Sequence, residues 1–522
     1  MNIEVLTSQL IALLGSEQVL TDEANKVLYA QDVYCKELPA GLVIRPDSIE
    51  KLAEAIKLTT SAGIAVIPRG GGMSYTKGFV PSEENSVIVD TSAFDKVLEI
   101  NTEDMYVTVQ AGCTWQELHK ALEPTGFRTP YWGTLSGSKA TIGGGLSQNS
   151  IFWGSGQYGF AADSVLSVEV ILADGTIINT GSAAQVNGSA FMRHYGPDLT
   201  GLFCCDNAAL GLKTSATLRL IPQLKYKDGV SFCFDTFEQQ SKVMSEVARQ
   251  NLSTECCGFD PFLQAQRLKR ESLTADVKSL VGVMKSAGGI GKALTKGAKI
   301  ALAGRNFAEA ESWSVHFWVE DRSEAAVKEK LLAIRQIAKT QGANEVANTI
   351  PTVLRANPFG PVNNMIGPNG ERWAPVHTLV PHSKAITAYQ ASCDVFAKHQ
   401  ANIDKFNIGV GYLLALVSTN VFVLEPVFFW PDELNEIHHF AIDAAHIKKV
   451  KGFAKNPAAT AAVQAIRIDL VEAYKKVGGV HMQIGKTYQF KEGIAEVNFN
   501  LLKKLKAELD PTNRFNPTAL GL

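Results

Sequence analysis

"VIPRGGGMSYTKGFVP", residues Val66–Pro81, carries four glycines and two prolines in sixteen positions, which raises the question of what lies against so much bare backbone. The apolar run Ile64–Ile67 leads into it and "SVIVD" (Ser86–Asp90) leads out, so the stretch predicts a long loop between two short strands. Glycine admits positive φ and lets another molecule approach the main chain closely. Successive exposed N–H groups in such a loop form an anion-binding concavity. Arg69 adds charge, and Ser74, Tyr75 and Thr76 add hydroxyls. No G-K-[ST] follows the glycines, and the stretch is not a G-x-G-x-x-G that opens a helix. The common nucleotide-binding readings therefore fail.

The rest of the chain sets the frame. At 522 residues it is too long for one compact core and predicts two or three domains. With 46% hydrophobic and 20% charged residues it has the composition of a soluble globular protein. A net charge of −2 gives no reason to expect nucleic acid as a partner. The opening "MNIEVLTSQLIALLGSEQVL" lacks a basic n-region and a small-residue cleavage site, so a cytoplasmic protein is expected. The eight cysteines show neither a C-x-x-C pair nor a zinc-like histidine spacing, so no metal is expected and the thiols read as reduced. Ile408–Leu424 is free of charge but short for a membrane span and interrupted by Ser418, Thr419 and Asn420. Two buried strands, joined near Gly409–Gly411 or Thr419, suit it better.

In the first third, helical and strand patterns alternate. Ser48–Gly63 reads as a helix with Ser48 as N-cap and Gly63 as C-cap. Tyr106–Gly112 alternates as a strand, Thr114–Gly126 as a capped helix, and Ser164–Gly181 as a hairpin turning at Asp174–Gly175. Leu212–Pro222 is a further strand whose proline marks a domain boundary. Beyond Gln223, aromatic strands such as Ser312–Glu320 alternate with long helices such as Arg322–Thr340. The basic run Leu268–Phe307 reads as a solvated excursion, or else as a lid or a contact with a membrane surface. Asn498–Pro517 is an amphipathic helix stopped by Asp510–Pro511.

A second glycine-rich stretch, "GTLSGSKATIGGGLSQNSIFWGSGQYG" (Gly133–Gly159), interleaves hydroxyls with glycines. Two such stretches in one domain suggest a single long phosphate-bearing ligand between them, since backbone N–H and Ser/Thr hydroxyls can satisfy a pyrophosphate. At this point the order of motifs resembles the FAD-binding domain of the vanillyl-alcohol-oxidase, or p-cresol-methylhydroxylase (PCMH), family. The resemblance rests on "VIRPDSIEKLAEAIKLTTSAGIAVIPRGGGMSYTKGFVP", "VTVQAGCTWQELHKAL", "ATIGGGLSQNS", "YGFAADSVLSVEVILADGTIINTG", "GPDLTGLFCCDNAALGLKTSATLRLIP" and "LDPTNRFNP". It implies an α+β protein: a PCMH-type FAD-binding domain over 1–222, an α+β cap domain over 223–455, and a segment 456–522 returning to the first domain. It further implies that Pro68, Arg69, Gly70, Gly71, Gly72, Met73 and Ser74, with Thr134, Ser138, Thr141, Gly143, Gly144 and Ser147, clasp the FAD. Leu212 would back the adenine side and Asn516 would close the site.

The chain also departs from that family. Relatives that attach FAD through a histidine of the first loop have it where this chain has Met73. Berberine-bridge-type members use a cysteine where Lys139 stands. The cap-domain histidine of other members falls at Glu371 or Arg372, with His377 or His382 as alternatives if the alignment slips. Noncovalent FAD is expected.

For the chemistry, flavin takes a hydride from a carbon whose hydroxyl loses a proton, which calls for a base and a cation near the ring. The candidate bases are His377, His382 and His481, and Lys486 is the candidate cation. Arg355, Trp373 and Tyr488 are candidate pocket residues. D-lactate and glycolate dehydrogenases resemble the first domain but carry an H-x-G-D-G-N that "IGVGYLLALVSTN" lacks. Phenol-oxidising relatives carry an Asp where Phe160 stands and a Tyr-Arg pair that "HMQIGK" lacks. The expectation is an FAD-dependent oxidoreductase acting on a bulky or aromatic small-molecule alcohol at the domain junction. A D-2-hydroxy-acid dehydrogenase is the alternative, and a flavin-binding or electron-transfer partner without turnover is the alternative of another class. Electrons would pass to O2, a redox protein or a quinone, and a homodimer stays open.

Overall fold

In the computed structural model, residues 2–269 and 312–522 are described. The basic run Leu268–Phe307 therefore lies, from Arg270 onward, outside the described residues.

The glycine loop grows out of a parallel strand pair. Val66–Arg69 lies beside Val87–Asp90 in register Val66↔Val87. Parallel neighbours need a crossover connection, which is usually a helix. Here the loop itself makes it. The pair sits at one side of a four-stranded sheet completed by Leu42–Ile44 and Val19–Leu20. Helices Ile3–Leu14 and Ile49–Ser61 cover this sheet, putting Leu6, Leu10, Leu52 and Ile56 into one core with Val66 and Val87. Ser48 caps the second of these helices as expected. The helix ends at Ala62, and Gly63 follows it in the left-handed region at φ +75°.

A second, five-stranded sheet runs Val97–Asn101, Tyr106–Gln110, Leu212–Arg219, Val165–Ile171 and Ile177–Asn179, antiparallel throughout. Its last hairpin turns at Gly175, φ +84°. Between the two sheets, the second glycine stretch is less of a loop than its composition suggests. Ile142–Gln148 forms a short helix, with Thr141 Oγ1 accepting from Gly144 N at 3.3 Å as its cap. The N-cap hydroxyl outweighs the poor helix propensity of three glycines.

The chain leaves this region between Pro222 and Tyr226 and enters an eight-stranded antiparallel sheet. Trp313–Asp321 is buried along nearly its whole length because helices pack on the sheet. Among them are Phe237–Arg249, Glu324–Thr340 and Ala385–Lys405. The uncharged run Ile408–Leu424 falls into the hairpin Gly409–Val417 and Val421–Trp430, turning at Ser418, φ +53°. Among the described residues no helix is long and apolar enough to cross a membrane. Helix Pro457–Lys476 packs into the core of this same sheet through Val463, Ile466 and Leu470. The same helix touches the first region through Gln464 and Arg467, which bond Tyr34 and Tyr75, and farther along the chain Phe515 joins the core of the four-stranded sheet.

Candidate functional site

The two glycine stretches meet backbone to backbone. A Cβ on Gly71 would overlap the Lys139 carbonyl, and one on Gly70 would overlap the Thr141 hydroxyl. Gly72 has φ +73°, a conformation a side chain would strain. Gly143 donates to Ala111 O at 2.7 Å, and a Cβ there would come within 2.8 Å of the Ala111 methyl. Glycine is thus required by close approach, and the approach leaves a cleft between the two stretches.

Two further segments complete the cleft. Cys205, Asn207 and Ala208 all adopt positive φ, at 59°, 51° and 54°. This strained wall is pinned by Asn207 N to Ser147 O at 3.0 Å and by Lys506 Nζ to Ala209 O at 2.7 Å. Gln483, also left-handed at φ +47°, donates its N–H to Gln148 O at 2.8 Å. Gly485, two residues on, packs on the Thr76 carbonyl so closely that a Cβ would overlap it. The cleft holds about 1010 Å³ of empty space counted out to open solvent.

Pro68, Arg69, Gly70, Gly71, Gly72, Met73 and Ser74 line the cleft, as do Thr134, Thr141, Gly143, Gly144, Ser147 and Leu212. Ser138 does not. Its hydroxyl donates to Gly360 O at 3.1 Å. Asn516 stands behind the wall and holds it, donating through Nδ2 to Gly78 O at 2.8 Å and to Asn207 O at 2.7 Å.

Arg69 is the principal cation of the cleft. It is 5% exposed, and its guanidinium lies over the rings of Tyr29 at 4.5 Å and Phe79 at 5.4 Å. Nη1 donates to Gly70 O at 3.4 Å, whereas Nε and Nη2 are buried with no partner. Burial lowers its pKa and the Asp90 carboxylate opposes the shift. Two buried N–H donors thus lack acceptors in a residue that lines the cleft. Lys213, at the Leu212 end, is already paired with Asp206 at 2.8 Å.

The candidate catalytic residues lie elsewhere. His377 is fully buried, with Nε2 donating to Met482 O at 2.8 Å and Nδ1 3.0 Å from the Tyr488 hydroxyl. Burial and the neighbouring His481 push it down to about 3, so it is a neutral residue with both ring nitrogens engaged and does not face the cleft. His481 Nδ1 donates to His377 O at 2.7 Å, its ring stacks on Tyr488 at 4.1 Å, and burial pushes it down to about 4. His382 bonds the Thr419 carbonyl at 3.0 Å and lines a separate groove between Phe237–Arg249 and Glu324–Thr340. Lys486 Nζ donates to Val80 O at 2.8 Å, outside the cleft lining, and burial pushes it down to about 8.

The candidate pocket residues divide similarly. Arg355 is held by Glu255 at 2.7 Å and by Glu320 at 2.5 Å, beneath Trp132 and Trp153. Arg128 bonds the same Glu320. Trp373 meets the Tyr75 ring edge-on at 5.6 Å, one layer behind the lining, and the Tyr488 hydroxyl accepts from His377 N at 2.9 Å. The residues that do line the junction end are Tyr75, Gln148, Ser150 and Gln483. Tyr75 stood in the opening motif as one of three hydroxyls. No residue pattern marks Gln483, because its role comes from a backbone conformation.

Residues 40–181 match the family described as FAD binding domain. The chain is 28% identical over 241 residues to the glycolate oxidase subunit GlcD of Bacillus subtilis, covering 46% of this chain and 49% of that one. It is 30% identical over 211 residues to the D-lactate dehydrogenase of Archaeoglobus fulgidus, covering 40% and 45%. The chain thus spans about half the length of these curated relatives. Over 99% of its length it superposes on p-cresol methylhydroxylase, covering 96% of that chain with a TM-score of 0.75 at 16% identity. It also superposes on an alkyldihydroxyacetonephosphate synthase, over 99% and 85% of the chains, with a TM-score of 0.68 at 17% identity. At such identities what is shared is the fold.

Proposed function

We propose, for a chain whose residues 40–181 belong to the FAD binding domain family and whose fold is that of p-cresol methylhydroxylase, that the cleft takes FAD noncovalently and that the protein oxidises an alcohol. The observation that carries the reading is Arg69: a buried cation with two unpartnered N–H groups, beside glycines that cannot accept a Cβ. That set suits a diphosphate. In this reading the Pro68–Ser74 loop and the Thr141-capped helix hold the diphosphate, and Leu212 lies toward the adenine side. The junction end, at Tyr75 and Gln483, receives the ring and the substrate.

Bound flavin supplies a hydride acceptor. The chain's own part is to bind, orient and exclude water. Burial and the Glu425 charge raise the Tyr75 phenol well above its ordinary value. Tyr75 is then a hydrogen-bond donor for a substrate oxygen and no base. Met73, Tyr75 and Trp373 form an apolar, aromatic surround that suits a bulky or aromatic alcohol. The similarity to a glycolate oxidase subunit and a D-lactate dehydrogenase favours a second reading, a D-2-hydroxy acid.

The test is direct. The purified protein should be yellow, and acid precipitation should release the flavin into the supernatant. Anaerobic mixing with 4-hydroxybenzyl alcohol or D-lactate should bleach it, and the more effective compound identifies the substrate class. A colourless protein that takes up no added FAD overturns the reading. A yellow protein bleached by no alcohol of either class removes the oxidase assignment but leaves the cofactor.

A further inference from the structure

We infer that Phe359 is a positioning residue of the cofactor site: its ring, brought from the large-sheet region, is wedged against Gly133 and Gly137 and sets the turn between them. The inference rests on the cofactor reading above. The turn supplies Thr134 and Ser136 to the cleft, while Phe359 itself stands outside the lining. A Cβ on Gly137 would come within 2.4 Å of the ring's Cδ1, and one on Gly133 within 2.7 Å of its Cε1. One ring thus reaches both ends of the turn. Gly133 has φ +142°, but Gly137 lies outside the positive-φ region, so at Gly137 it is close approach that asks for glycine.

The ring is held from both regions of the fold. Helix Thr349–Ala356 sets Ile350 into the core of the large sheet, beside Trp318. Leu354 touches that core and the core of the five-stranded sheet, and Phe359, 4% exposed, lies within the second of these. Its ring stands edge-on to Trp132 at 5.7 Å, with planes at 87°. Three consecutive carbonyls accept from the first region: Pro358 O from Trp153 Nε1 at 3.0 Å, Phe359 O from Gln116 Nε2 at 3.4 Å, and Gly360 O from Ser138 Oγ at 3.1 Å. Gln116 also donates its backbone N–H to Gly137 O at 3.0 Å, so one residue fastens both the wedge and the turn. Interiors are close-packed, and a turn in contact with a rigid ring keeps one shape. Removing the ring leaves a void into which the turn can settle, taking Thr134 and Ser136 from their places along the cleft. Cofactor affinity then depends on how the large-sheet region is seated.

The experiment measures FAD affinity of the apoprotein by quenching of flavin fluorescence, with the melting temperature alongside. Phe359→Ala should weaken FAD about tenfold. Leu218→Ala removes a comparable side chain from the same core, at the opposite end of the strand that begins at Leu212. It should melt as low as Phe359→Ala yet bind FAD within about twofold of the parent. Phe359→Leu keeps part of the wedge and should fall between the parent and Phe359→Ala. Gly137→Ala should weaken FAD, and by less in the Phe359→Ala background, where the ring is gone. Its approach to the Thr134 carbonyl, at 2.9 Å, is common to both backgrounds and cancels in the comparison. A Phe359→Ala protein that does not fold moves both comparisons to Phe359→Leu. Parental FAD affinity in the Phe359 variants, or an equal loss in Leu218→Ala, overturns the inference and leaves the cofactor reading intact. Additive losses in the double variant overturn it as well. A parent protein that binds no FAD overturns the cofactor reading and this inference with it.

Discussion

Arg69 and Arg355 both drew notice in the sequence as site residues, and both are well buried, at 5% and 15% side-chain or residue exposure. Their surroundings differ. Arg355 gives both ends of its guanidinium to Glu255 and Glu320, and Arg128 shares the second carboxylate across the two regions of the fold. Arg69 is wrapped by the rings of Tyr29 and Phe79, and two of its nitrogens have no acceptor. A saturated buried cation is part of the framework. An unsaturated one, in a residue that lines a cleft, is a candidate for a binding site. Burial and charge are alike in the two cases, and only the hydrogen-bond count tells them apart.

That contrast can be broken by substitution. Arg355→Met leaves Glu255 and Glu320 buried with too few partners. It should lower unfolding free energy by about 3–5 kcal/mol in denaturant titration, while flavin per folded molecule stays constant. Gly71→Val drives a branched side chain into the Lys139 carbonyl. FAD affinity, read by fluorescence recovery on dilution, should fall by about a hundredfold, or about 3 kcal/mol. On the diphosphate reading, Arg69→Met takes a charge-assisted donor away from the cofactor and should weaken FAD by about 1.5–3 kcal/mol. The apoprotein should melt no lower, since no carboxylate in contact with Arg69 loses a hydrogen bond. A large fall in apoprotein stability would put Arg69 in the same class as Arg355.

Two smaller effects sharpen the picture. Ala208 pays for its φ of 54° in the cleft wall, and Ala208→Gly should add about 0.5–1 kcal/mol of stability. Lys486 concerns charge. Its folded pKa, about 8, lies below the ordinary lysine value, so the folded state binds its proton less tightly than the unfolded chain. The charged lysine therefore opposes folding in full below pH 8, and wild-type stability rises with pH between about 8 and 10.4. Lys486→Met should be the more stable protein at pH 7, with the difference closing as pH rises through that window. Its flavin midpoint potential should match the parent's, because the ammonium rests on Val80 O outside the cleft. A drop in potential would return this lysine to the site.

What the sequence made legible follows the same division. Glycine loops are local: their composition announces positive φ and close approach, so the stretch around Gly70–Gly72 stands out from its residues alone, whereas Thr141 and Leu212 are named through the family resemblance. The strands and caps of the first region stand out too, since Ser48 and Thr114 act over three residues. The histidines show the limit. His377, His481 and His382 have the chemistry of a base, but nothing in the chain reveals that carbonyls of Met482, His377 and Thr419 occupy their ring nitrogens. Gln483 shows the converse, an ordinary residue type given its place by a left-handed backbone. Within the second glycine stretch, Ile142–Gln148 is helical although three of its residues are glycines, because a hydroxyl cap holds its first turn.

Asn516 ties the Gly78 carbonyl to the Asn207 carbonyl across sequence separations of 438 and 309 residues. Contacts of such separation close large loops and come late in folding, after local hairpins and helices have formed. The cleft is thus a nearly global property of the chain, with no autonomous nucleotide-binding fragment behind it. A partly folded molecule can possess intact glycine loops and still lack the wall that faces them. Cofactor uptake then acts as a checkpoint on maturation: a molecule that has acquired its ligand is one whose most distant segments have already met.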